Sequence, residues 1–194
     1  MLYIIKTMKF AYIIPGFGET GTEKVYKNLA QIFKNTGYSP VILKINWDRH
    51  VMSDYILATK DKLQNKEHSR DIICGFSFGA FIAIHIAQQI QFAKCLSLSC
   101  SPYFSETISN FPKEVHQFFG KRRMEDFKKY SLRKIINSKF STPDIKFFFG
   151  ENDWKKGIEV SNKLAKKFKK EVTLIKNTAH ELTPHYFSII KSEL

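Results

Sequence analysis

The sequence predicts an α/β protein: a three-layer α/β/α sandwich built on a mostly parallel six-stranded sheet, with a short helical insertion after the fourth strand. Three observations predict it. Short runs of β-branched and aromatic residues, apolar without alternation, take turns with amphipathic stretches at helical spacing. Strands that are apolar on both faces belong in a parallel sheet covered by helices. The β–α rhythm is interrupted once, by residues 103–141, which carry many aromatic and basic side chains and no strand pattern. The 194 residues fit one domain with a substantial core, and no Pro/Gly/Ser-rich linker or fixed-period repeat divides them.

Residues 10–14 (FAYII) read as a buried strand ended by Pro15-Gly16-Phe17-Gly18. Residues 20–35 then place apolar side chains at 25, 29, 32 and 33, the stripe of an amphipathic helix, with Thr20 or Thr22 as cap and Gly37 as stop signal. Residues 40–47 (PVILKINW) read as the second strand, and residues 53–65 as a helix directing Ile56, Thr59 and Leu63 inward. The third strand, Ile72-Ile73-Cys74, runs into Gly75-Phe76-Ser77-Phe78-Gly79 and then a helix to residue 90 that is apolar nearly all round, which marks it as buried against the middle of the sheet. Residues 94–100 (KCLSLSC) form the fourth strand, closed by Ser101-Pro102.

The 103–141 insertion is expected to fold as short helices and to act as a lid, because long excursions within a compact domain are usually functional. Residues 144–150 (DIKFFFG) are the fifth strand, followed by a helix with Ile158, Ser161, Leu164, Ala165 and Phe168 on one face. Residues 171–176 (EVTLIK) are the sixth strand. A last helix starts near Thr183, with Pro184 in its first turn and Tyr186, Ile189 and Ile190 facing inward.

Composition narrows the partners. The net charge of +13 invites anionic ligands, yet the lysines gather at 121–139 and 155–170, on what read as solvated helix faces, and no nucleic-acid motif accompanies them. The positive charge therefore predicts no nucleic-acid partner. Cys74, Cys95 and Cys100 are too few and too apolar in setting for a disulfide framework and read as core residues in a reducing compartment. No His/Cys cluster suggests a metal, and no cofactor is required. No membrane span is expected: the amino-terminal apolar stretches are broken by Lys6 and Lys9, and nothing approaches eighteen uninterrupted apolar residues. The expected location is the cytoplasm, with residues 1–7 an extra extended segment ahead of Met8.

The chemistry is concentrated where strands end. Reversing a strand into a helix within five residues strains the serine of G-x-S-x-G and projects its hydroxyl from the turn, while glycine two positions to either side avoids collision. The Phe78 N–H, at the start of the following helix, is unpaired and aimed where an oxyanion would form. A serine hydroxyl needs a general base, and that base an orienting carboxylate. In a doubly wound sheet the loops at the carboxyl ends of the strands converge. There the fifth strand delivers Glu151 and Asp153, and the sixth delivers His180.

On these motifs the chain resembles a small member of the α/β-hydrolase superfamily, over nearly its whole length from Phe10 in topology but residue by residue only in short motifs. GFSFG is similar to the family's nucleophile elbow, GEND to its acid loop, and TAHEL to its histidine loop. The resemblance implies Ser77, Asp153 and His180 as catalytic residues in the superfamily's chain order. PGFG occupies the place of the family's oxyanion loop, with Pro15 where many members have histidine. It implies the Phe17 N–H as second oxyanion donor beside that of Phe78, and Gly16, Phe17 and Gly18 as substrate-binding. Glu151 competes with Asp153 for the acid role, and Asp144 sits at the wrong end of its strand. His50, His68, His85, His116 and His185 are rivals to His180, although His85 falls within the buried helix and His116 and His185 fall on or near helices.

The expected activity is a serine hydrolase, a carboxylesterase or thioesterase, cleaving a small-molecule acyl substrate through an acyl-enzyme, with an anionic or carrier-bound substrate among the options. The competing reading is a catalytically silent α/β-hydrolase-like binding protein.

Overall fold

The computed structural model describes residues 8–194. The expectation for residues 1–7 lies outside them. Six strands form one sheet in the order β2-β1-β3-β4-β5-β6: β1 (Phe10–Ile14), β2 (Ser39–Ile42), β3 (Ile72–Phe76), β4 (Lys94–Leu98), β5 (Ile145–Gly150) and β6 (Val172–Ile175). Every pairing is parallel, so the sheet is wholly rather than mostly parallel. Each strand is followed by helix: α1 (Lys24–Asn35), α2 (Met52–Leu63), α3 (Phe78–Gln89), α6 (Lys155–Lys167) and the final α7 (Pro184–Ser192), with α4 (Lys113–Phe127) and α5 (Leu132–Asn137) in the insertion after β4.

The apolar strands bury both faces. Ile14, Ile73 and Phe147 pack toward one core with Phe81 and Ile84 of α3 and Leu164 of α6. Ile13, Cys74 and Phe148 pack toward the other, with Leu29 and Phe33 of α1 and Tyr186 and Ile190 of α7. Alternate residues of one strand thus serve opposite layers. Helix α3, against β3 and β4, is buried from Phe78 to Ala87. The three cysteines are free and buried. Among the described residues no helix is long and apolar enough to cross a membrane.

Three expectations are corrected. The second strand ends at Ile42 rather than Trp47. Leu43 still donates its N–H to the Ile13 carbonyl of β1 at 2.8 Å, but residues 44–47 leave the sheet edge, and Trp47 turns inward, donating its indole N–H to the Glu19 carbonyl at 2.9 Å; a tertiary contact has overridden strand propensity. Helix α1 starts at Lys24, and neither threonine caps it. Thr20 instead gives its N–H and hydroxyl to Glu23 Oε1 at 2.9 and 3.0 Å. The buried stripe is Tyr26, Leu29 and Phe33, one residue over from the expected start.

The 103–141 segment is helical as expected, with a 3-10 turn at Ile108–Asn110 before α4 and α5. Helix α4 is broken at Gly120, where φ is 73° and ψ 162°. Beyond the break it is fastened to the body. Asp126 accepts hydrogen bonds from the Ser53 N–H and hydroxyl at 2.8 and 2.6 Å, and Arg123 donates to the Trp47 carbonyl at 2.8 Å.

Candidate active site

Ser77 stands between β3 and α3 with φ 55° and ψ −117°, a conformation that costs an L-residue roughly 1–3 kcal/mol and persists only where its surroundings enforce it. The enforcement is visible. A Cβ at Gly75 would overlap the Gly79 carbonyl, and one at Gly79 would overlap the Ile14 carbonyl of β1. Both positions need glycine because backbone occupies the space. The Ser77 N–H donates to the Leu98 carbonyl at 2.9 Å, which extends the β3–β4 ladder into the turn and fixes the hydroxyl above the sheet's carboxyl edge.

The other two loops arrive on the same edge. After β5, the Asn152 N–H donates to the Thr178 carbonyl at 2.9 Å, joining the acid loop to the histidine loop. Gly150 permits that approach, since a Cβ there would strike the carbonyls of Thr178 and Ala179. His180 Nε2 lies 2.9 Å from Ser77 Oγ, and His180 Nδ1 lies 2.9 and 3.0 Å from the two carboxylate oxygens of Asp153. Residues separated by 103 positions are in direct contact.

Proton accounting follows from these partners. A carboxylate only accepts, so Nδ1 carries the ring proton. Nε2 is then a lone pair, and the Ser77 hydroxyl donates to it. The Asp153 side chain is wholly buried while that of His180 is a third exposed. Burial alone would raise the Asp153 carboxyl, but hydrogen bonds from His180 and Ser99 and the nearby imidazole outweigh it and hold the group below the usual range. Asp153 is therefore ionised near neutral pH and able to stabilise an imidazolium.

The other candidates lie elsewhere. The exposed Glu151 accepts from the Asn177 N–H at 3.2 Å, and Asp144 pairs with Lys170. His68 is buried between Asp71 and the Leu63 carbonyl, 2.8 Å from each. His85 is buried in α3, 2.8 Å from the Phe81 carbonyl. His116 lies 3.1 Å from the Ile108 carbonyl, His50 lies 3.6 Å from Asp54, and His185 is exposed on α7.

Ser77 and His180 open into a cleft of about 570 Å³ whose lining is largely aromatic. Phe17 is central: its ring lies within 5.3–5.4 Å of Trp47, Phe78 and Phe119, centroid to centroid. Gly16 and Phe17 line the cleft and Gly18, whose φ is 78°, is outside its lining. Phe78 is the first residue of α3, so its N–H is among those a helix leaves without an internal acceptor. The Glu19 carboxylate accepts from the Gly16 N–H at 2.6 Å and from the Tyr26 hydroxyl, which holds the loop carrying Phe17.

Several lining residues escaped the sequence reading. Ser101, just past β4, places its Oγ 3.1 Å from Ser77 Oγ. Trp154 covers the His180 ring, and Glu114, Phe118 and Phe119 come from the first half of α4. For Ser101 a signal existed, since it follows the strand that neighbours the elbow strand. Phe118 and Phe119 belong to the aromatic 103–141 segment expected to act as a lid, while for Trp154 and Glu114 no signal existed.

Comparison with known proteins adds family and fold. The sequence model of the serine hydrolase family FSH1 matches residues 45–186. No curated protein matches the chain. Among solved structures, Est1E from Butyrivibrio proteoclasticus superposes with a TM-score of 0.75 at 16% identity, covering 96% of this chain and 85% of its own. Alpha/beta hydrolase domain-containing protein 10 from mouse gives 0.74 at 11% identity, covering 94% and 86%. The ydeN gene product from B. subtilis gives 0.70 at 16% identity, covering 95% and 98%. At such identities the likeness is one of fold, the α/β-hydrolase fold.

Proposed function

Because the chain belongs to the FSH1 serine hydrolase family, we propose that it hydrolyses a carboxylic ester or thioester through Ser77, His180 and Asp153, by way of an acyl-enzyme. The observation that carries this reading is the unbroken hydrogen-bonded run from Asp153 through His180 to Ser77 Oγ, each step 2.9 Å, at the floor of an apolar cleft.

In the proposed mechanism, His180 Nε2 takes the Ser77 proton as Oγ attacks the acyl carbonyl, and Asp153 stabilises the imidazolium. The N–H groups of Phe17 and Phe78 receive the oxyanion, and collapse expels the alcohol or thiol, protonated by His180. Water then repeats the sequence on the acyl-enzyme.

The lining supports an apolar, uncharged acyl group. Its ionisable side chains are Glu19, Tyr103, Glu114 and His180, with no lysine or arginine, so an anionic or carrier-bound tail would have to find its basic partners beyond the lining. Residues 103–141 serve as the lid in this reading, the half of α4 before Gly120 covering the cleft and the half after it forming the anchor.

Ser77→Ala should abolish hydrolysis of a p-nitrophenyl ester while leaving the melting temperature nearly unchanged. Most of the activity surviving in that variant would end the proposal.

A further inference from the structure

Ser101 is 2% exposed, lines the cleft, and has its Oγ 3.1 Å from Ser77 Oγ. Its own N–H donates to the Ser77 carbonyl at 3.3 Å, so the two serines are held together by main chain as well. The direction of the hydroxyl contact is settled by its neighbours. Ser77 has one proton, committed to His180 Nε2, and its oxygen can only accept from Ser101. We infer that Ser101 is a further catalytic residue, a hydroxyl donor to the nucleophile oxygen that acts chiefly when the acyl-enzyme is broken down.

The argument is one of differential strength. At 3.1 Å the contact is long for O–H···O, whose usual separation is about 2.7–2.8 Å, so it does little in the resting state. In the acyl-enzyme Ser77 Oγ is an ester oxygen, a poorer acceptor than the hydroxyl it replaces, so the contact is weakest in the state from which deacylation starts. During deacylation water adds to the acyl carbon while His180 removes its proton. The tetrahedral intermediate then collapses: the C–Oγ bond breaks, its electron pair moves to Oγ, and the His180 imidazolium returns a proton there. Negative charge grows on Oγ as this bond breaks, and a hydroxyl aimed at it gains most at that moment. The oxyanion donors face the other oxygen and cannot do this.

The inference rests on the nucleophilic role proposed for Ser77, and the test separates the two. Ser101→Ala and Ser101→Thr are compared with wild type on a p-nitrophenyl ester by stopped flow, following the release of the first equivalent and the steady state, with the acyl adduct weighed by intact mass. Ser101→Ala should lower kcat about tenfold, as expected for loss of a charge-assisted hydrogen bond. It should slow the first equivalent far less, raise the burst amplitude toward one per site, and carry a longer-lived acyl adduct. Ser101→Thr, which keeps the hydroxyl, should restore most of kcat. Equal slowing of both phases in Ser101→Ala, or an unchanged kcat, overturns the role of Ser101 alone. Turnover that survives in Ser77→Ala overturns the reading beneath it.

Discussion

The indole of Trp154 lies parallel to the imidazole of His180, with ring centroids 5.5 Å apart and planes inclined by 13°. Phe76 touches the same imidazole, at 5.0 Å. The ring is thus held by apolar surfaces as well as by Asp153, although Trp154 is itself 47% exposed. An aromatic pair of this kind is worth about 0.5–1.5 kcal/mol beyond buried area. Trp154→Ala should therefore lower kcat/KM two- to about tenfold by loosening the base, a range set by the same energies. Because the indole is half in solvent, the melting temperature should hardly move. Steady-state kinetics beside a thermal melt checks both parts.

The elbow makes a stability prediction independent of activity. Gly75→Ala and Gly79→Ala each drive a methyl into main-chain atoms, which cannot swing aside as a side chain can. Each should cost about 1–3 kcal/mol or more, the usual range for forced overpacking. Urea unfolding would show a lowered midpoint in both variants. An unchanged midpoint would mean that the turn relaxes more easily than its contacts imply.

Acid sensitivity should trace in part to His85. Burial pushes its pKa from the ordinary 6.5 down to about 4, against the opposing hydrogen bond to the Phe81 carbonyl. In the folded chain the ring stays neutral down to about pH 4, whereas in the unfolded chain it takes up a proton near 6.5. Between those values the unfolded state binds more protons, so stability falls as the pH drops through that window and levels off below it. The contribution lost between pH 7 and pH 5 is about 2 kcal/mol. His85→Gln, which cannot titrate, should lose that much less than wild type over the interval when unfolding free energies are compared.

Phe118 is 69% exposed yet lines the cleft, its ring 6.1 Å from that of Phe17. A large apolar side chain in that position costs the resting protein solvation and gains its partner when an acyl chain lies against it. Phe118→Ser should raise KM for an octanoyl ester about fivefold, the equivalent of ~1 kcal/mol of lost apolar contact, and leave an acetyl ester nearly unaffected. Equal effects on both chain lengths would count against this part of α4 touching substrate.

Much of this was legible in the sequence, for physical reasons. Strands such as FAYII and DIKFFFG are apolar on both faces because both faces are covered, and so the parallel sheet was readable. Gly75 and Gly79 are demanded by contacts local to one turn and its neighbouring strand. His180 and Asp153 could be placed because strand ends in such a sheet converge whatever the loops between them do. What was not legible depended on distant packing. Trp47 leaves its strand for a carbonyl at Glu19, and α1 starts late because Glu23 is engaged by Thr20. The break at Gly120 assigns the two halves of α4 different neighbours. Trp154 reaches the site through a pairing with His180 that no spacing encodes.

The central claim is that Ser77 is an activated nucleophile, made so by an imidazole that a buried carboxylate orients. Treatment with a fluorophosphonate probe, followed by peptide mass mapping, tests it most directly, since the reagent phosphonylates an activated serine and spares an ordinary hydroxyl. The account predicts one adduct per chain, on the peptide containing Ser77, lost in Ser77→Ala and strongly slowed in His180→Ala. An unlabelled wild-type protein, or a label that persists in Ser77→Ala, would contradict it.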